Sequence, residues 1–185
     1  MRKWKRFETA DGPRFVSALE PHEAALLRTM ATSVQAMLAD RQSSAPSDPL
    51  EQITGIRTGN SSPPTDATMS RLLPDFIKDG QSDDSGALRS LHEPQIIDAK
   101  IAAMQRLLDT LPDDGRLDLT EADAEAWIAA VNDFRLSLGT LLGIGPDGPD
   151  RLPAGHPMAT HLDVYQWLTV LQEYLVLGLM GKPIR

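Results

Sequence analysis

The sequence contains no cysteine in its 185 residues, although it contains seven methionines. Without cysteine there can be no disulfide framework, no thiol nucleophile and no zinc site built from thiolates. A thiol-disulfide redox switch is excluded for the same reason, because it needs two cysteines. With 41% hydrophobic residues the chain is long enough to bury one core, so we expect residues 1–185 to form a single domain.

Basic residues are also scarce, with 18 Lys and Arg against 26 Asp and Glu and a net charge of −8. A protein that gains affinity from DNA phosphates needs a Lys or Arg beside each phosphate that it neutralises. The predicted helices begin near acidic residues, Glu23, Glu121 and Asp163, which would repel phosphate where a recognition helix enters a groove. We therefore do not expect direct DNA binding, and the charge is better matched to a protein partner.

No apolar segment of signal-peptide length follows the N-terminus, because polar residues and a turn come directly after Phe7. The most apolar stretch, residues 162–180, contains Asp163, Glu173 and two glutamines, which a membrane span would have to bury. We interpret this stretch as a core or interface helix. The sequence thus predicts no membrane association and a cytoplasmic location.

Motifs for catalysis and metal binding are missing from the sequence. His156 and His161 are five residues apart, are separated by Pro157 and have no acidic residue between them, so they do not form the histidine pair of a zinc peptidase. There is no Gly-Lys-Ser/Thr phosphate loop and no Gly-x-Ser-x-Gly nucleophile motif. These absences predict a non-enzymatic protein with no cofactor and no metal ion.

Residues 2–19 predict a β-hairpin, because Asp11-Gly12 supplies a turn between two segments with strand character. The first strand carries four basic residues, Arg2, Lys3, Lys5 and Arg6. The sequence after Arg6 then holds 14 basic against 26 acidic residues, a net charge of −12. This basic strand is either an edge strand whose charges prevent edge-to-edge pairing or a docking site for a partner.

Apolar residues at helical spacing predict helices over about residues 21–41, 87–111, 121–142 and 157–180, with a short helix after Asp66. We expect Pro94 to kink or break the second of these near His92 and Glu93, since proline lacks a backbone donor and clashes with the preceding turn. The polar residues 42–66 predict a flexible excursion or a segment that orders on binding. The predicted fold is mainly α, a small helical bundle with an N-terminal β-hairpin, in which residues 87–180 supply the C-terminal helices.

The last predicted helix is apolar on more than one face, as a helix buried against a second subunit would be. A homodimer and a monomeric bundle with this helix at its centre explain the pattern equally well.

Five segments resemble one actinobacterial family. They are Trp4-Lys5-Arg6, PHEAALLR at 21–28, DPLEQITGI at 48–56, RLLPD at 71–75 and the helix at 165–179. The chain is similar over nearly its whole length to this family, which was first catalogued as a domain of unknown function and later named for the oxidative-stress transcriptional regulator AosR. The resemblance implies a cytoplasmic protein that acts in transcription under redox stress through a partner such as an alternative sigma factor. The gene neighbourhood of the family implies a second possibility, an adaptor or accessory factor for a Clp-type protease.

These features together lead us to predict a partner that docks on the hairpin, on residues 42–66 or on the C-terminal helix. The candidate contact residues are Arg2, Lys3, Trp4, Lys5, Arg6, Tyr165 and Trp167. Because the chain has no cysteine, an oxidative response must be sensed by the partner or by chemistry that does not use a thiol.

Overall fold

The computed structural model describes residues 4–46, 55, 57–77, 83–145, 148 and 156–182. These residues form three strands, β1 (Lys5–Thr9), β2 (Gly12–Ala18) and β3 (Arg116–Leu119). They also form five helices, α1 (Pro21–Ser43), α2 (Ala67–Leu72), α3 (Asp83–Thr110), α4 (Glu121–Leu141) and α5 (Ala159–Leu179). The predicted fold, mainly α with an N-terminal hairpin, is confirmed.

The hairpin pairs β1 with β2, and β3 adds to the other side of β2 to give an antiparallel sheet of order β1-β2-β3. Gly12 opens β2 with a φ of +105°, a conformation that glycine adopts without steric strain. One face of the sheet lies against the core, where Phe15, Leu117 and Leu119 are buried. Every residue of β1 is exposed, so β1 is an outer strand of the sheet.

Helix α1 begins at Pro21, as predicted, and ends at Ser43, two residues beyond the predicted end. The carboxylate of Glu23 accepts a hydrogen bond of 2.8 Å from the backbone N–H of Glu20, which satisfies a donor that the helix itself leaves unpaired. Leu27, Ala31 and Leu38 are fully buried along one face. The helix is therefore held by its apolar face as well as by its N-terminal hydrogen bond.

Helix α3 runs without interruption from Asp83 to Thr110 and contains Pro94, so of the predicted kink or break near His92 and Glu93 the break is wrong. Proline cannot donate to the carbonyl of Ser90, four residues earlier. That carbonyl instead accepts a hydrogen bond of 2.7 Å from the N–H of Gly59. Because a chain segment far away in the sequence supplies the missing donor, the helix continues through the proline.

Gly59 belongs to the second half of the predicted excursion, residues 42–66. A β-carbon at Gly59 would lie 3.0 Å from two ring carbons of Pro94, so only glycine approaches this closely without displacing its neighbour. Ser90 Oγ also donates to the carbonyl of Gly59 at 3.1 Å. Residues 57–60 thus lie against α3, whereas residues 47–54 and 56 are outside the described residues.

Helix α4 lies at the centre of the bundle and packs against α2, α3 and α5. Its N-cap is Thr120, whose Oγ1 accepts from the N–H of Asp123 at 3.2 Å. Trp127 and Phe134 are fully buried, and each side chain of this size contributes about 1.5–3 kcal/mol when it leaves water. The indole N–H of Trp127 donates to Thr110 Oγ1 at 2.8 Å, so its polar atom is satisfied inside the core.

Candidate functional site

Of the predicted contact residues 2–6, the structure describes three, and two of these are exposed. Lys5 and Arg6 lie on the outer strand β1 and are exposed, as the docking prediction requires. Trp4 is 2% exposed and belongs to the hydrophobic core, so it does not form part of an accessible contact surface, and that part of the prediction is corrected. The reason is physical, since a tryptophan beside a sheet that covers a core gains more from burial than from exposure. Arg2 and Lys3 lie outside the described residues.

Arg6 lies next to the C-terminal end of α5. Its guanidinium is so close to Gly181 that a β-carbon at Gly181 would lie 3.1 Å from Nη1 of Arg6. Gly181 has a φ of +66° and follows Met180, the C-cap residue of α5. The N–H of Gly181 donates to the carbonyl of Gly178 at 3.0 Å, and the N–H of Lys182 donates to that of Leu177 at 2.9 Å. This is a Schellman ending, which fixes the position of the last turn.

We call this region the β1–α5 corner, defined by Arg6, Val176, Met180 and Lys182. All four residues are exposed. Lys5 is not a member, because successive residues of a strand point to opposite faces of the sheet. The corner combines two cations with two apolar side chains. Val176 and Met180 are four residues apart, so they are neighbours on one face of the helix. Arg6 also forms an ion pair of 2.8 Å with Glu8.

Tyr165 and Trp167, the other two predicted contact residues, are half-buried and lie in the first half of α5. The guanidinium of Arg135 lies 5.3 Å from the centre of the Tyr165 ring and donates to Gln172 Oε1 at 2.5 Å. Nε1 of Trp167 is buried and has no hydrogen-bond acceptor among the described residues. About 21 Å of helix separates Trp167 from Gly181 at 1.5 Å per residue, so the structure does not bring these two residues to the β1–α5 corner.

A charge network that the sequence analysis did not identify joins α1, α3 and the two loops beside them. Arg89 is 1% exposed and Glu93 is 2% exposed, and Nη1 of Arg89 donates to Oε2 of Glu93 at 2.7 Å. Nη2 of Arg89 donates to Asp75 at 2.5 Å. Arg41 donates from Nε to Oε1 of Glu93 at 2.7 Å and from Nη2 to the carbonyl of Ser62 at 2.6 Å. The only sequence signal is the four-residue spacing of Arg89 and Glu93 on one helix.

Two cavities lie on either side of this network. One of about 260 Å³ is bordered by Arg41, Arg57 and Glu93, and Arg57 forms an ion pair with Asp98. The other, of about 120 Å³, is lined mainly by apolar groups that include Phe76. Each is large enough to receive a side chain, but the arrangement of charges in the described part is that of paired ions rather than of a nucleophile beside a base.

Three aspartates have shifted pKa values. Burial alone would raise the pKa of Asp123, but hydrogen bonds from Thr120 and the nearby Arg106 together hold it below its usual range. Burial raises the pKa of Asp133, and its ion pair of 2.6 Å with Lys100 opposes that shift only in part. A hydrogen bond from Gln42, together with Arg57, lowers the pKa of Asp98. All three carboxylates have cationic or amide partners, so the shifts are explained by structural contacts.

The two histidines of the last segment do not lie in a metal centre. His156 and His161 are both exposed, and Nδ1 of His156 accepts from the N–H of Met158 at 3.2 Å. Within the described ranges, no group of three or more His, Asp or Glu side chains could hold a metal ion.

None of the helices that the structure describes is both long and apolar enough to cross a membrane.

The fold defines the class of protein: the chain is small and mainly helical. Its described surface includes one corner where basic and apolar side chains are both exposed. Comparison with known proteins places the chain more narrowly. It belongs to the family described as Domain of unknown function (DUF2017), whose model matches residues 1–179.

Relatives with a name exist in mycobacteria. A protein of Mycobacterium bovis named "Oxidative stress regulator AosR" is 61% identical over 195 aligned positions, which cover 98% of this chain and 89% of the relative. A Mycobacterium tuberculosis protein with the same name matches with the same identity and coverage. No solved structure matches the chain significantly. The predicted family resemblance is therefore confirmed, and the names of the relatives support a role in regulation.

Proposed function

We propose that this protein is a cytoplasmic, non-enzymatic regulator of the oxidative stress response that acts by binding a protein of the transcription machinery, such as a sigma factor. The observation that carries the proposal is the 61% identity, over 98% of the chain, to proteins named oxidative stress regulators. At this identity and coverage the fold is shared throughout, so a shared regulatory role is the simplest inference.

The β1–α5 corner supports a protein partner rather than DNA. It combines Arg6 and Lys182 with two exposed apolar side chains, Val176 and Met180, on a chain whose net charge is −8. A DNA-binding surface needs a Lys or Arg for each phosphate contacted, whereas a mixed basic and apolar corner is complementary to an acidic protein surface with apolar residues at its centre. We therefore place the partner contact at this corner.

Affinity purification from the native host tests the proposal. The bait variants are wild type, the charge reversal Lys5→Glu with Arg6→Glu, and the control Arg116→Glu. Arg116 is a matched control because it lies on the opposite outer strand, β3, with a side chain that is 86% exposed. We expect wild type and the Arg116 variant to retain a component of the transcription machinery and the double variant to lose it.

Two results would contradict this proposal. Equal retention by all three baits would show that the corner is not the contact. Retention of a Clp component in place of any transcription protein would favour the protease-adaptor alternative, which no contact in the described structure favours. Circular dichroism of each variant verifies that the charge changes leave the fold intact.

A homodimer through α5 is one of the two alternatives that the sequence leaves open. On one side α5 packs against α4 through Leu168, Leu171 and Leu175, while Val170 and Val176 are each 38% exposed on other faces. A dimer through α5 would cover such exposed residues. Light scattering at several concentrations measures the mass, and a value that stays at the monomer mass of 20.2 kDa would contradict the dimer.

A further inference from the structure

The relatives of this chain are named for oxidative stress, yet the chain has no thiol, so its oxidisable sulfur atoms all belong to methionines. The described methionines differ widely in exposure. Met104 is fully buried and Met69 is 7% exposed, whereas Met180 is 58% exposed. Because oxidation of methionine follows access of the oxidant to sulfur, Met180 is the described methionine most open to attack.

The position of Met180 is fixed by the structure around it. The Schellman hydrogen bonds of Gly181 and Lys182 hold the last turn of α5, so the side chain is presented at a defined place rather than on a frayed end. Arg6 lies against the neighbouring Gly181, and Val176 lies one turn earlier on the helix. Met180 is therefore one of the two apolar members of the β1–α5 corner.

We propose that Met180 is a modification site, where oxidation to methionine sulfoxide by hydrogen peroxide weakens docking of the acidic partner at the β1–α5 corner. This inference rests on the proposed function, since it assigns redox sensitivity to the same contact. Oxidation of a methionine needs no thiol, so this reaction is open to a chain that has no cysteine.

The reaction balances with peroxide as the only co-reactant. The thioether sulfur donates an electron pair to one peroxide oxygen, the O–O bond breaks, and a sulfur–oxygen bond forms. A proton passes to the departing oxygen, which leaves as water. The sulfur is oxidised by two electrons and the peroxide is reduced, and methionine sulfoxide reductases reverse the change.

The product changes the corner in a specific way. A flexible apolar side chain becomes a polar one with a strong acceptor oxygen. A partner that covers Met180 in its reduced form would then have to bury that oxygen or leave it in water. We expect the affinity of the partner to fall by about tenfold or more.

The first test is peptide mapping by mass spectrometry of the purified protein during a hydrogen peroxide time course. We expect the sulfoxide to form first at Met180, while the buried Met69 and Met104 stay reduced. Slower oxidation of Met180 than of the half-buried Met30, Met37 and Met158 would overturn the assignment of the site.

The second test repeats the affinity purification with and without peroxide. Met180→Leu keeps the apolar contact and cannot be oxidised, Met180→Gln imitates the polar product, and Met158→Leu at the other end of α5 is the control. We expect peroxide to release the partner from wild type and from the Met158 variant but not from Met180→Leu, while Met180→Gln binds weakly without peroxide.

Failure of this inference differs from failure of the proposed function. Equal release from wild type and Met180→Leu would overturn the role of Met180 and leave the proposed function intact. If no transcription protein is retained by any bait under either condition, the proposed function fails, and the docking role of Met180 fails with it.

Discussion

The replacement Glu93→Gln removes one negative charge from the buried network without changing the volume of the side chain. Glu93 is 2% exposed and accepts from both Arg41 and Arg89 at 2.7 Å. Arg89, itself 1% exposed, would keep Asp75 and the carbonyls of the 73–74 segment as acceptors, but its closest buried counter-charge would be gone. One amide hydrogen of the glutamine would also face an arginine donor.

Breaking a buried ion pair by removing one partner costs about 3–5 kcal/mol, and we expect a loss of stability in this range. For a chain of this size each kcal/mol lowers Tm by about 2–4 °C, so the expected fall in Tm is about 6–20 °C. The assay is urea unfolding followed by circular dichroism. Glu125→Gln, at an exposed position of α4, is the matched control and should change the free energy of unfolding by less than about 0.5 kcal/mol. If the two variants differ by less than about 1 kcal/mol, the network does not hold these segments together as described.

Three further predictions concern the other contacts of the fold. Gly59→Ala should lower the free energy of unfolding in urea by about 1–3 kcal/mol, because the new β-carbon meets Pro94. The control Gly145→Ala, whose β-carbon would have no atom within 4 Å, should be close to neutral. Equal effects would contradict the docking of residues 57–60. Because folding lowers the pKa of Asp123, its ionised carboxylate stabilises the fold at pH values above its ordinary pKa of 3.8. This contribution is lost as the pH falls through the lower pKa of the folded state. The stability difference between wild type and Asp123→Asn should therefore be largest near neutral pH and shrink in acid, and a difference independent of pH would refute the assignment. Gly181→Ala should fray the end of α5, seen as faster amide hydrogen exchange there, and unchanged exchange rates would contradict the Schellman ending.

Much of the fold follows from patterns that are local in the sequence. The hairpin depends on a turn at Asp11-Gly12, and the helices on apolar spacing together with capping residues such as Thr120, so these elements are predictable without tertiary information. The pairing of β3 (Arg116–Leu119) with β2, about a hundred residues earlier, is not encoded in any local pattern.

The error at Pro94 has the same origin. Local rules predict that a proline inside a helix leaves the carbonyl of Ser90 unpaired, and they are correct about the helix itself. The missing donor comes from Gly59, which is 31 residues away in the sequence. Likewise, the pairing of Arg41 with Glu93 spans 52 residues, so neither contact can be read from a single segment.

The candidate site was predictable in part. The concentration of basic residues in the first strand is visible in the sequence, but the burial of Trp4 depends on the sheet covering the core. The approach of Arg6 to Gly181 brings the two ends of the described chain together, and this depends on the whole bundle. Spacing along the chain therefore indicates which residues are basic or apolar, whereas only the fold shows which of them meet.

The most direct test of the central claim is the transcript response of the native host to hydrogen peroxide. A deletion strain would be complemented with wild type, with the double variant Lys5→Glu and Arg6→Glu, or with Arg116→Glu. We expect wild type and the Arg116 variant to restore a peroxide response that the deletion strain and the double variant lack. A deletion strain whose transcript response equals that of the parent would contradict the proposal that this protein regulates transcription under oxidative stress.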